Sequence, residues 1–147
     1  RSIELQVILV IGAAFGIAAA LVHTGAAVAI AKPMLQLAEG SPLGLLATVY
    51  AITALLTNFI SHNAAAVLMF PLAFSAVAVL GQPFLPYAIA IAMAASVSFA
   101  TPISYQTNLM VYGPGGYRFG DFVRFGLPLN VLVAAVSIIV IYYVWLA

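Results

Sequence analysis

Between Glu39 and Arg118 the chain has no Asp, Glu, Lys or Arg, a charge-free run of 78 residues. As helix, at about 1.5 Å per residue, that run measures roughly 117 Å, near four crossings of a ~30 Å hydrocarbon core. A water-soluble surface cannot be made from such a stretch. Apolar residues supply 66% of the 147 and charged residues 5%, against about 45–50% and about 25% in ordinary globular domains. A mean hydropathy of +1.23 is equally far from the polar signature of disordered chains. The net charge of +1 leaves no basic face for nucleic acid. With no cysteine there are no thiolate nucleophiles and no Cys-based metal sites. A lipid-facing barrel would need strands of about ten residues alternating in and out. The run from Ala64 to Phe70, Ala-Ala-Ala-Val-Leu-Met-Phe, does not alternate. The expected fold is therefore an all-α integral membrane protein.

The seven charges punctuate the apolar stretches. Residues 5–38 read as a broken span plus an interfacial helix. Gly12, Gly16 and many alanines suit close helix packing, His23-Thr24-Gly25 interrupts the run, and Lys32-Pro33 suits the headgroup level. After the turn Glu39-Gly40-Ser41-Pro42, residues 43–81 read as a helical hairpin with its tip at 57–63 and a bend or pause at Pro71. Residues 84–113 read as one discontinuous span, broken after Phe99 and restarted at Asn108, and Gly113-Pro114-Gly115-Gly116 ends it. Gly120-Asp121 marks the start of a last span over 121–146, with Asp121 near the positive end of the helix dipole. Tyr142, Tyr143 and Trp145 form the aromatic belt at its exit. All of this makes one transmembrane region, 1–147. The opening Arg1, with no charged leader and cleavage site behind it, reads as the interior of a longer membrane protein. Lys and Arg asymmetry puts Arg1 and the Arg118 loop in the cytoplasm, and Lys32 and the C-terminus outside.

Two polar knots interrupt the charge-free run: Thr57-Asn58-Phe59-Ile60-Ser61-His62-Asn63, and Ala100-Thr101-Pro102-Ile103-Ser104-Tyr105-Gln106-Thr107-Asn108. The first reads either as the solvated loop of an ordinary hairpin or as a site within the bilayer. The stretch from Leu43 to Ile60 gives ~27 Å of helix, nearly a span, so length leaves both open. A solvated loop usually carries Gly, Pro, Lys, Asp or Glu, and this one has none of them. In the second knot Thr101-Pro102 stops a helix after only a short apolar run, as in a broken span. Non-helical backbone is tolerated at membrane depth only where protein or a water-filled cavity satisfies it. Secondary transporters use such breaks to hold ions and substrates.

The first knot, continued by Ala64-Ala65-Ala66 and Phe70-Pro71, resembles the hairpin-tip motif of the divalent-anion:sodium symporter family. Ala100-Thr101-Pro102 with Asn108 resembles that family's unwound segment. Thr107 to Tyr117, followed by Phe119-Gly120-Asp121-Phe122, resembles its sulfate-permease branch. The resemblance implies a re-entrant helical hairpin and the C-terminal part of one inverted repeat. By the same resemblance Ser61, His62, Asn63, Pro102 and Asn108 fall on substrate-binding positions. Thr57, Ile60, Ser61, Ala100 and Thr101 fall on cation-binding positions, with sodium held through Thr57, Ser61 and Thr101. His62 and Asn63 depart from the family's Asn and Thr, and Ile103–Thr107 lengthens the segment relative to dicarboxylate members. A homodimer, the other half of the transporter, a small inorganic or organic anion and the bilayer are the implied partners.

The function this reading expects is cation-coupled symport of a small divalent anion such as sulfate or a dicarboxylate, without enzymatic activity or a cofactor beyond the coupling ion. The alternative is a proton-linked antiporter or oxyanion pump subunit of the same superfamily. His62 is the group on which that choice turns: it reads either as a neutral imidazole satisfied by a backbone carbonyl, or as a donor or proton carrier at the site. His23 reads as structural. An intramembrane hydrolase built on Ser61 and His62 is disfavoured, since neighbouring side chains diverge by about 100° on a helix and no carboxylate lies near to orient the imidazole. Gly113–Gly116 lacks the Lys-Ser/Thr of a phosphate loop.

Overall fold

A computed structural model describes Leu9, Gly12, Ala13, Gly16, Ile17 and residues 19–21, 23–103 and 105–146. Most of the first apolar stretch, Arg1, Glu4 and Ser104 lie outside the described residues. The described ordered elements are all helices: α1 (Ala26–Leu37), α2 (Pro42–Thr57), α3 (His62–Leu80), α4 (Leu85–Ser96), α5 (Gln106–Tyr112) and α6 (Phe119–Trp145).

Local chemistry sets the boundaries. Glu39 and Gly40 take positive φ and reverse the chain. Ser41 then caps α2, its Oγ accepting the Gly44 amide at 3.0 Å, with Pro42 in the first-turn position that needs no donor. The segments Ala29–Leu37 and Pro42–Thr57 meet at 118°. α3 ends on Gly81 in the left-handed conformation, where glycine carries no Cβ penalty. At the head of α6 the Arg118 amide donates to Asp121 Oδ2 at 2.7 Å, so Asp121 does cap the last span.

Pro71 departs from expectation. α3 is a single helix through it, with no pause. The proline still removes an amide donor, but it is buried against neighbouring helices, and the Ser75 hydroxyl donates to its carbonyl at 3.0 Å. Packing against neighbouring helices is one of the things that make proline tolerable within membrane helices.

The core lies where α2, α3 and α4 pack on one another, with α1 against α3 and α2, and α6 against α4 and α2. Leu45, Leu46, Val49 and Tyr50 meet Met69, Ala73 and Ala76, and Tyr87, Ala90 and Ala94 complete the contact. Fully buried alanines let helix axes approach closely where apolar surroundings give no hydrophobic drive to associate. α3 and α6 are each long and apolar enough to cross a membrane. α2 and α4, at 16 and 12 residues, reach only ~24 and ~18 Å, short of a ~30 Å core. The connections at their C-terminal ends are the two polar knots.

Candidate functional site

The first knot is a tight turn. α2 closes as the amides of Phe59 and Ile60 donate to Leu56 O, each at 2.9 Å. Ser61 opens α3, its Oγ accepting the Ala64 amide at 3.3 Å. The amides of His62 and Asn63, in the first turn, have no acceptor within the helix and stand at the positive end of its dipole. Ser61, Asn63, Ile60 and Phe59 are exposed, His62 is half-buried and Thr57 is fully buried.

The second knot is non-helical from Val97 to Tyr105 as far as it is described, and side chains bind it to the first. Thr57 Oγ1 donates to Ala95 O at 3.0 Å, and Ser98 Oγ donates to Thr57 O at 3.2 Å. Thr101 Oγ1 donates to Asn58 O at 3.0 Å. Asn108, in the first turn of α5, donates through Nδ2 to Ser98 O at 2.9 Å and to Thr101 O at 3.1 Å. The segment is also fastened to α6: the Phe99 amide donates to Asn130 Oδ1 at 3.3 Å, and Gly126 lies directly on the main chain of Phe99 and Ala100. Ala100 and Pro102 are buried within it.

Thr57 and Thr101, two of the proposed sodium ligands, thus lie at one junction between tip and unwound segment, and Ser61 is three residues from the carbonyl that Thr101 holds. Each threonine hydroxyl donates its proton to a main-chain carbonyl. Asn108 uses both amide hydrogens on main-chain carbonyls, so it braces the segment and has no donor left for an anion. No Lys or Arg lies between residues 40 and 117. Among the described residues no three His, Cys, Asp or Glu gather. A cation at this junction would be held by neutral oxygens, the ligand class that hard cations take.

One oxygen here is unpaired. Asn58 donates through Nδ2 to Ala54 O at 2.6 Å, while its Oδ1 is buried without a hydrogen-bond partner. A buried acceptor left over in this way is uncommon, and ions are among its ordinary explanations. Reading the sequence passed over Asn58, as it did Ser98, Tyr105, Gly126 and Asn130. Asn130 had a legible signal, being the one amide side chain in the final span.

His62 meets the unwound segment through Tyr105, with ring centroids 5.6 Å apart and planes at 50°. A cleft of about 350 Å³ opens elsewhere, between α5 and α6, lined mainly by Phe99, Phe122, Phe125 and Leu129. It shares Phe99, Asn108 and Gly126 with the residues above, and none of the first knot.

Residues 1–147, the entire chain, match the family model described as "Citrate transporter". The chain belongs to this transporter family. It is 37% identical over 145 residues to "Sodium/sulfate cotransporter 1" of Chlamydomonas reinhardtii, covering 97% of this chain and 16% of that protein. It is 37% identical over 142 residues to "Uncharacterized transporter YfbS" of Escherichia coli, covering 96% and 23%. It is 53% identical over 93 residues to "Uncharacterized transporter sll0640" of Synechocystis, covering 63% and 15%. The chain thus spans a quarter or less of the length of these relatives. The resemblance to the divalent-anion:sodium symporters, drawn from the tip and the unwound segment, is borne out. Family membership and the long apolar helices together make this a multi-pass membrane protein.

Proposed function

We propose that the two knots form the ion- and anion-binding junction of a secondary transporter that moves a small divalent anion, sulfate or a carboxylate, together with sodium. Burying an isolated ion in a low-dielectric layer is very costly, and this stretch has no fixed positive charge to offset an anion. Compensation falls to the free amides at the start of α3, to hydroxyls and to a co-bound cation, so each ion stabilises the other. The observation that carries this reading is the buried, unpaired Asn58 Oδ1 beside the Thr101–Asn58 tie. It supplies an oxygen ligand where the tip meets the unwound segment, next to the hydroxyls of Thr57 and Thr101. Ser61, His62 and Asn63 face the anion, and Asn108 and Pro102 hold the segment that carries Thr101. The names of the sodium/sulfate relatives agree with this cargo. The Arg118 loop lies in the cytoplasm and the C-terminus outside.

The test is uptake of labelled sulfate, succinate and citrate by the full-length protein in proteoliposomes, under imposed sodium and proton gradients. Sodium-driven uptake of one of these anions is the expected result. Uptake indifferent to sodium, driven by protons and lost in His62→Asn, replaces this reading with proton-linked transport.

A further inference from the structure

We infer that Asn130 of α6 is a positioning residue for the cation junction: by holding the Phe99 amide it fixes the main chain leading into Thr101, and so sets the affinity for sodium. The inference rests on the transport reading above and adds to that site a residue that acts on it through the unwound segment.

The chain from Val97 onward has left the helical ladder, so its amides need partners from elsewhere. The Val97 amide still reaches Ala94 O, at 3.3 Å. Two residues on, the Phe99 amide is taken by Asn130 Oδ1 at 3.3 Å, a side chain 31 positions away on another helix. One turn before Asn130, on the same face of α6, Gly126 lies against the same stretch of main chain. A Cβ at 126 would overlap the Phe99 carbonyl and stand 2.7 Å from the Ala100 nitrogen. α6 therefore grips residues 99 and 100 at two points, one polar and one steric. A polar side chain within a spanning helix is costly without a partner, and α6 places its one amide side chain on this segment.

The residues that α6 grips lie between two ties to the tip. Ser98 Oγ donates to Thr57 O at 3.2 Å, and Thr101 Oγ1 donates to Asn58 O at 3.0 Å. The course of the main chain between those ties is thus set by the tip and by α6 together. A hard cation held by neutral oxygens has no single dominant ligand, so its affinity depends on several oxygens standing at fixed positions. Without the Asn130 bond the segment samples other courses. Only the fraction in the competent one binds sodium, and the apparent affinity falls by that fraction.

The test compares wild type with Asn130→Leu, Asn130→Ser and Asn130→Asp in the full-length protein. Uptake of labelled sulfate, succinate and citrate into proteoliposomes is measured against sodium concentration, and thermal unfolding is followed in detergent with sodium or choline as the only cation. Leucine fills the place without an acceptor, and serine is too short to reach the Phe99 amide. Both variants should raise the sodium concentration for half-maximal uptake about tenfold, with the maximal rate at saturating sodium nearly unchanged. Both should also need more sodium to gain the stabilisation that it gives wild type. Asn130→Asp keeps an oxygen at the same reach and should hold the wild-type sodium dependence. A structural role alone would lower the unfolding temperature equally in sodium and in choline, and leave the half-saturating sodium concentration where it was. That pattern overturns the inference and leaves the transport reading standing, as does the same rise in Asn130→Asp, or failure of both the leucine and the serine variants to accumulate as folded protein. A wild type whose uptake and stability are both indifferent to sodium removes the transport reading itself, and the inference with it.

Discussion

Thr101 Oγ1 donates to the main-chain carbonyl of Asn58 at 3.0 Å, joining residues 43 positions apart across the two polar knots. The bond matters because neither partner belongs to a helix: each lies where the backbone has left the ladder and needs outside partners. Thr101→Val keeps the shape and removes the donor. The expected result is a loss of about 1–2 kcal/mol in stability, seen in thermal unfolding in detergent, and a rise of roughly tenfold in the sodium concentration for half-maximal uptake. Unchanged sodium dependence in a well-folded Thr101→Val protein would mean that this tie has no part in cation binding.

Asn58 separates structural from ionic explanations. Without a cation, its buried Oδ1 is a liability that a leucine would remove, at the loss of one local bond to Ala54. Asn58→Leu should therefore leave stability in sodium-free buffer within about 1 kcal/mol of wild type. It should abolish the extra stabilisation that sodium gives wild type. Thermal unfolding with sodium or choline as the only cation measures both halves. A variant that still gains stability from sodium would remove Asn58 Oδ1 from the ligand set.

Much of this arrangement was legible in the sequence, for physical reasons. A 78-residue charge-free run has few folds open to it, and Ser41-Pro42, Gly81 and Asp121 mark helix ends by local chemistry alone. The two knots stand out because hydroxyls and amides without charge are rare in apolar sequence. Pro71 does not interrupt α3 as a pause would, because the packing of the helices around it is something local propensity does not contain. Gly126 and Asn58 escaped for a similar reason. A glycine near the start of an apolar helix acquires meaning only when Phe99 is known to lie against it, and Asn58 only when Thr101 is seen to hold its carbonyl.

Gly126 is the point of closest approach between α6 and the unwound segment. A Cβ there would overlap the Phe99 carbonyl and stand 2.7 Å from the Ala100 nitrogen, and both are main-chain atoms that cannot rotate away. Gly126→Ala should push α6 off the segment, costing about 1–3 kcal/mol as an overpacked contact does, and should break the neighbouring Asn130–Phe99 bond. Gly120→Ala is the control, since a Cβ at 120 meets nothing within 4 Å. Melting temperature and uptake measured on both should fall for the first and hold for the second. Equal behaviour of the two would show that the approach at Gly126 relaxes freely.

Two buried bonds tie Thr57 to the end of α4 and the segment after it, Thr57 Oγ1 to Ala95 O at 3.0 Å and Ser98 Oγ to Thr57 O at 3.2 Å. Thr57→Val leaves the Ala95 carbonyl short of a donor, and Ser98→Ala leaves the Thr57 carbonyl short of one; each should cost about 1 kcal/mol. The bonds close one loop between the end of α2 and the end of α4, so losing the first should loosen the geometry the second needs. The double variant should then be less destabilised than the sum of the singles, by roughly 0.5–1 kcal/mol. Unfolding of the four proteins in mixed micelles measures that coupling. Strict additivity would mean that the two bonds act independently.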